Sequence, residues 1–413
     1  MATLGKLIKN KQLLTLGISE SVSSTGSWIT MMAVFAMLVF HSQGGVAASS
    51  GVYLAGLLPT LLFSPVAGWL CDRFDRRRLM IASELISGAV TSGLFFAREP
   101  AWIYTLLAIQ AVSVSIMTPA RQAVVPLVVP QSELTRANAF LGQLAGIIKI
   151  AAPSLAGLVL VFLNPHQAIL LDVLSYILSA LILSRLPALP PRPEKPGAAA
   201  GAPGGEIWPA LRVAGGLRTL FAGSFLAIAV VVGFDIVAPV YTRDVLRGGE
   251  SLFGLMVSLV GFGTLGATLI LLLRKGQANP WRDMAAGLFL LGMIPGLLAL
   301  AVALDDPSQA RVLTLAGALV GGVGNGLLQV QAGTLLQLLS PARLLGRMSG
   351  IFQMTAVSGQ LVGILITPLL VPGVLPMGLY FGLMAVALGG VALFVALASA
   401  HPWAAEADSA DRA

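Results

Sequence analysis

Gly68-Trp69-Leu70-Cys71-Asp72-Arg73-Phe74-Asp75-Arg76-Arg77-Arg78 is a densely charged stretch set between two long apolar runs, Val46–Leu70 and Leu79–Ala97. A bilayer core of about 30 Å is crossed by about 20 mostly apolar residues in a helix. Both flanking runs meet that length. Four arginines in the few residues between them mark a short loop on the cytoplasmic face, where membrane proteins concentrate Lys and Arg.

Working outward, the same reading predicts twelve spans. The first six are Leu13–Phe40, Val46–Leu70, Leu79–Ala97, Trp102–Val124, Ala137–Leu163 and Gln167–Ser184. The second six are Leu217–Tyr241, Leu252–Leu273, Met284–Leu304, Val312–Leu338, Met348–Val371 and Leu375–Ala398. Composition agrees: of 413 residues, 56% are hydrophobic and 10% charged, with a mean hydropathy of +0.88. Soluble domains carry about 25% charged residues, so most of this surface must face lipid. The first span lacks a small-residue cleavage site, which argues against a removable signal peptide.

The net charge of +7 does not indicate nucleic-acid binding, because the basic residues lie in short loops between apolar runs. Lys6, Lys9, Lys11, Arg136, Arg274, Lys275, Arg343 and Arg347 join the arginines of the first loop on one side. Only Arg98, Arg243, Arg247 and Arg311 fall on the other side, and Lys149 lies within a span. This bias places both termini in the cytoplasm. Cys71 is alone, and His41, His166 and His401 are scattered, so neither a metal site nor a cofactor is expected. The same scatter leaves no catalytic cluster for an enzyme. No Gly-x-x-x-x-Gly-Lys-Ser/Thr motif is present for direct drive by ATP.

The longest non-apolar stretch, 185–216, contains Pro187-Ala-Leu-Pro-Pro-Arg-Pro-Glu-Lys-Pro196 and then a Gly/Ala-rich run. Pro and Gly at that density read as a linker. It separates a six-helix bundle at 1–184 from a second at 217–400, leaving a cytoplasmic tail at 401–413. A weak internal repeat supports the division. Pro130-Gln-Ser-Glu133-Leu-Thr-Arg136 precedes the fifth span, as Ser340-Pro341-Ala-Arg343-Leu-Leu-Gly-Arg347 precedes the eleventh. Two similar six-helix halves in parallel orientation point to a transporter.

The opening stretch resembles the signature between helices two and three of the major facilitator superfamily, Gly-x-Leu-Ala-Asp-Arg-x-Gly-Arg-Arg/Lys. Gly68, Leu70, Asp72, Arg73, Arg76 and Arg77 match it, and Asp75 replaces the second Gly. Gly68 would let two helices pack closely. Asp72, at a helix end, would pair with an Arg or face a helix N-terminus. The resemblance implies an all-α membrane fold of twelve helices in two pseudo-symmetric bundles. It also implies a cytoplasmic gate at this loop, joined by Arg121 and Arg347.

Thr118-Pro119-Ala-Arg121-Gln-Ala-Val-Val-Pro126, with Glu133-Leu and Ala137-Asn138-Ala, is similar to the drug:proton antiporter-3 branch, the macrolide-efflux and enterobactin-exporter type. Ala152-Pro153-Ser-Leu-Ala156-Gly157 resembles the helix-five antiporter motif, Gly-Pro-x-x-Gly-Gly, with two alanines for glycines. Pro153 would kink the span. Gly26-Ser27-Trp28 stands where many relatives have Gly-Asp-Trp, and Leu107 stands near a common helix-four Arg, with Gln110 the nearest polar group.

Each ionisable group inside a span costs about 2.5–3.5 kcal/mol on the insertion scale, so each needs a reason. Glu20 lies about 10 Å into span one and Lys149 roughly 18 Å into span five, from a rise of 1.5 Å per residue. Helices one and five touch in the resembled fold, which makes Glu20 and Lys149 near neighbours and proton-coupling candidates. Asp172 in span six and Asp235 in span seven join them, whereas Glu84 reads as interfacial. Gln110, Asn325, Gln329 and Gln331 are substrate-cavity candidates. The whole predicts a monomeric, multi-pass transporter of the bacterial cytoplasmic (inner) membrane. Its partners are the lipid bilayer, a small-molecule substrate and protons. Export of a hydrophobic or amphiphilic compound is the first reading. Siderophore export, lysophospholipid flipping and a transport-dead receptor are the alternatives.

Overall fold

The computed structural model describes residues 10–130, 134–189, 215–274, 279–340 and 345–398, and among them the regular structure is entirely helical. Among the described residues, eleven helices are long and apolar enough to cross a membrane. In chain order these are α1 (Lys11–His41), α2 (Val46–Arg73), α4 (Pro100–Val128), α5 (Leu134–Phe162), α6 (Pro165–Leu183) and α7 (Gly215–Asp244). They continue as α8 (Glu250–Leu273), α9 (Pro280–Val302), α10 (Pro307–Leu339), α11 (Leu345–Leu370) and α12 (Met377–Ala398). Between α2 and α4 runs α3, Arg76–Leu94, which completes the twelve expected spans.

The helix α3 opens with three arginines, Arg76, Arg77 and Arg78, which lower its hydropathy, and it also carries a polar stripe. Ser83, Glu84, Ser87 and Thr91 recur at helical spacing, and all four are buried. That polar stripe therefore faces other helices rather than lipid. Glu84 is 2% exposed, enclosed by the neighbouring helices.

Local sequence signals set many of the helix starts. The Asn10 side chain accepts hydrogen bonds from the Gln12 and Leu13 amides and donates to the Val128 carbonyl. Asn164 and Gln167 form a capping box at α6. Asn279 caps α9 and Asp306 caps α10. Four helices carry Pro at their first position (Pro100, Pro165, Pro280, Pro307), where a missing amide proton costs nothing. Pro153 lies inside an α5 that runs unbroken from Leu134 to Phe162.

The chain divides into two compact units. One comprises Met1–Pro196 with Glu250–Leu255, the other Gly197–Gly249 with Met256–Ala413. In the first, α1 packs on α5 and α6, α3 on α4 and α6, and α2 on α4. In the second, α7 packs on α11 and α12, and α9 on α10 and α12. Four of the five pairings of the first unit thus recur in the second.

In the second unit the glycines of α10 are contact points. A Cβ on Gly324 would meet the backbone of Leu291 and Gly287, and one on Gly287 would lie 2.9 Å from the Gly324 carbonyl. On its other side, Gly322 and Gly326 meet the backbone of Val260 and Thr264 on α8. Glycine here brings three helices together backbone to backbone.

Candidate functional site

The arginine-rich loop is the first candidate. Asp75, the departure from the family pattern, has a clear role. Its side chain caps α3 by accepting from the Arg78 amide at 2.9 Å, and its other oxygen accepts from the Leu189 amide at 2.7 Å. The Arg76 amide returns a bond to the Leu189 carbonyl at 3.0 Å, and the Arg77 guanidinium donates to the Ser184 carbonyl. Leu186 and Leu189 are buried with Leu13, Leu16, Cys71, Met80, Val124 and Leu141. Arg185–Leu189, the start of the expected linker, are thus clasped to the first unit, and 190–214 lie outside the described residues.

Arg73 stacks on Trp69, its guanidinium 4.6 Å from the ring centroid. Leu70 is half-buried. Among the described residues, a Cβ on Gly68 would meet no atom within 4 Å. The side chains of Asp72 and Arg347 lie outside the described residues. Replacing Asp75 by alanine removes a helix cap worth about 0.5–2 kcal/mol and leaves the Leu189 amide without its acceptor. A lower thermal midpoint in detergent is the expected result, with Asp75→Asn falling between that variant and wild type.

A second candidate lies in the first unit along α1 and α5. Gly17, Glu20, Ser21, Ser24 and Trp28 fall on one face of α1, and Leu144, Ala145, Ile148 and Lys149 on one face of α5. Between them is a cavity of about 120 Å³. Glu20 and Lys149 both line it, as the helix-one to helix-five contact predicts. The salt bridge of Glu20 goes elsewhere, to Arg121 Nη1 on α4 at 2.8 Å. Both partners are about three-quarters buried or more, at 26% and 20% exposure. Arg121, expected at the gate, is thus an ion-pair partner of a pocket residue. The motif residues of α5 are close-packed: Ala152, Ala156 and Gly157 are buried and Pro153 is half-buried.

A third group fills the core between α1, α3, α4 and α6. Asp172 is fully buried and Tyr176 is 1% exposed. Ser175 donates to Asp172 at 3.0 Å, and Ser23 donates to Glu84 at 3.0 Å. The Tyr176 hydroxyl lies 3.0 Å from Ser27 Oγ and accepts from the Gln110 amide, which also donates to Thr91. Gln110 is therefore held inside the first unit, away from the α1–α5 pocket. The signal for this network was present as two polar stripes, Ser23/Ser27/Thr30 on α1 and Ser83/Ser87/Thr91 on α3.

The second unit contributes less to a site. Asp235 is half-buried on α7. Asn325 donates to Thr264, and the half-buried Gln329 follows one turn later on α10. Gln331 donates to Asp283, which also pairs with Arg274 at 3.0 Å. Asn325 and Gln331 thus bond to neighbouring helices. Among the described residues, no cluster of His, Cys, Asp and Glu has the form of a metal site.

Twelve helices in two similarly paired units, with an ionisable pocket among them, define a polytopic membrane transporter. The chain belongs to the major facilitator superfamily, whose family model matches residues 16–364. It is 28% identical to macrolide efflux protein A of Streptococcus pyogenes over 294 residues, 69% of this chain and 72% of that one. It is 25% identical to the staphyloferrin A transporter of Staphylococcus aureus, over 65% of this chain and 70% of that one. A crystal structure of a peptide transporter, POT, in complex with alafosfalin superposes with a TM-score of 0.69. That match covers 94% of each chain at 17% identity, which speaks for the fold alone.

Proposed function

We propose that this transporter exports a hydrophobic or amphiphilic small molecule from the cytoplasm in exchange for protons, by alternating access. The observation that carries the reading is the Glu20–Arg121 ion pair at the edge of the α1–α5 pocket, with Lys149 on the opposite wall. A partly desolvated carboxylate beside a pocket is a group whose charge and partner can change as the surroundings change. Proton binding biases a conformational equilibrium only through different affinity for the two states, and such a carboxylate supplies that difference. Asp172, Asp235 and Lys149 remain further coupling candidates, and Gln329 with Asp235 extends the set to the second unit. The loop of Gly68, Leu70, Asp72, Arg73, Arg76 and Arg77 acts as the gate, with Arg347. The protein works as a monomer in the bacterial inner membrane with both termini in the cytoplasm.

The name of the macrolide efflux relative favours export. Export of an anionic siderophore is the second reading, favoured by two cations, Arg121 and Lys149, at one pocket. Flux driven by a pH gradient in proteoliposomes tests both. Macrolides, lipophilic cations, catecholate siderophores and lysophospholipids form the panel. Outward movement of one class with opposite movement of protons is the expected result. Flux without proton movement would eliminate antiport, and binding without flux would make the protein a receptor.

A further inference from the structure

We propose that Glu84 is a proton-binding site of the first six-helix unit. The proposal rests on the proton-coupled reading above and adds a residue outside the α1–α5 pocket. Its basis is the buried network between α1, α3 and α6. Along α1, Glu20, Ser23, Ser27 and Thr30 follow one another at helical spacing, spanning about 15 Å at 1.5 Å per residue. Opposite them stand Arg121, Glu84, Tyr176 and Asp172 in turn. The polar line thus runs from the pocket into the core of the unit.

Glu84 is held incompletely. Oε2 accepts from Ser23, while Oε1 is buried without a hydrogen-bond partner. Ser87, one turn further along α3, and Ser179 on α6 also carry buried hydroxyl groups without partners. The Ser179 hydroxyl stands beside the Glu84 carboxyl, outside normal hydrogen-bond geometry. Buried polar groups are almost always satisfied, so a cluster of orphans requires an explanation. Hydroxyls both donate and accept. A small rotation lets Ser179 donate to an ionised Glu84 or accept from a protonated one, so both charge states find partners.

The charge environment points the same way. The titratable and charged groups facing Glu84 are Asp172 and Tyr176 on α6, and Glu20 on α1 with its partner Arg121 on α4. The one cation in the set is already paired with Glu20. Ionising Glu84 and Asp172 together would bury two anions with no cation beside them among the described residues, at a heavy desolvation cost. Binding a proton removes that penalty, and its loss recreates it. A group so placed links protonation to the packing of α1, α3 and α6.

Infrared difference spectroscopy of the whole purified protein, moved between acidic and alkaline buffer, reads the proton directly. Wild type is expected to show a buried carboxylic-acid band that appears on acidification. Glu84→Gln is expected to lose that band and, in proteoliposomes, to lose macrolide flux driven by a pH gradient while keeping macrolide counterflow without a gradient. Ser23→Ala keeps the carboxyl and removes its donor to Oε2, so it is expected to shift the pH at which the band appears. This second variant carries the test if Glu84→Gln fails to fold. An unchanged band in Glu84→Gln, or an unshifted one in Ser23→Ala, would overturn the assignment. Substitution of sodium for protons as the species that moves would also overturn it. Absence of proton movement in wild type alone would instead bring down the antiport reading on which the assignment rests.

Discussion

Replacing Gly26 by valine is expected to remove most of the folded protein from the membrane. Gly26 lies on α1 where that helix crosses α6, and even a Cβ there would overlap Ser175 Oγ and Asp172 Oδ1. These atoms belong to fully or largely buried side chains that hydrogen-bond to each other, so they have little room to withdraw. Overpacking a closed core costs about 1–3 kcal/mol. Breaking a buried hydrogen bond and leaving its acceptor unsatisfied adds about 1–3 kcal/mol. Against a total stability of about 5–15 kcal/mol, that is a severe loss. Size-exclusion chromatography and thermal melting in detergent measure it. Gly142→Ala, where a Cβ meets no atom within 4 Å, is the matched control and should behave as wild type. A stable Gly26→Val protein would mean that α1 and α6 separate more easily than their contacts indicate.

The second large effect is expected from Arg121→Ala. Removing one member of a buried ion pair leaves the other charge uncompensated and costs about 3–5 kcal/mol when burial is complete. Both side chains retain some exposure, so the lower end of that range applies here. Flux driven by a pH gradient should fall at least about tenfold, which corresponds to 1.4 kcal/mol. The double variant Glu20→Gln/Arg121→Gln removes both charges together. It should recover thermal stability relative to Arg121→Ala, yet stay inactive if Glu20 carries the exchanged proton. Full activity of the double variant would confine the pair to a structural role.

Hydropathy and loop charge made the twelve spans legible, because lipid imposes length and apolarity on each helix separately. The motif at Gly68–Arg78 carried the family resemblance for a similar reason: its elements are contiguous. Partnerships between distant residues were less accessible. Lys149 and Glu20 share a pocket as expected, but the choice of Arg121 as the ion-pair partner depends on where α4 crosses α1. No spacing within one helix encodes that crossing. The enclosure of Glu84 by its neighbours was missed because only its depth along the span was judged. The stripe of Ser83, Ser87 and Thr91 around it showed which face of α3 turns inward. Asp75 was noted only as replacing a glycine, whereas it accepts two hydrogen bonds, one capping its own helix and one from a segment more than a hundred residues away in sequence.

The glycine seam of α10 has a mechanical consequence. Motion between packed helices proceeds by shear when side chains slide and exchange rotamers at their interface. Where Gly324 faces Gly287 and Gly322 faces Val260, the opposing surfaces are backbone, and backbone has no rotamers to exchange. Such close joints leave little slack, and α8, α9 and α10 are expected to be displaced together as one plate. Any rearrangement inside the second unit is left to the borders of that plate, at α7, α11 and α12.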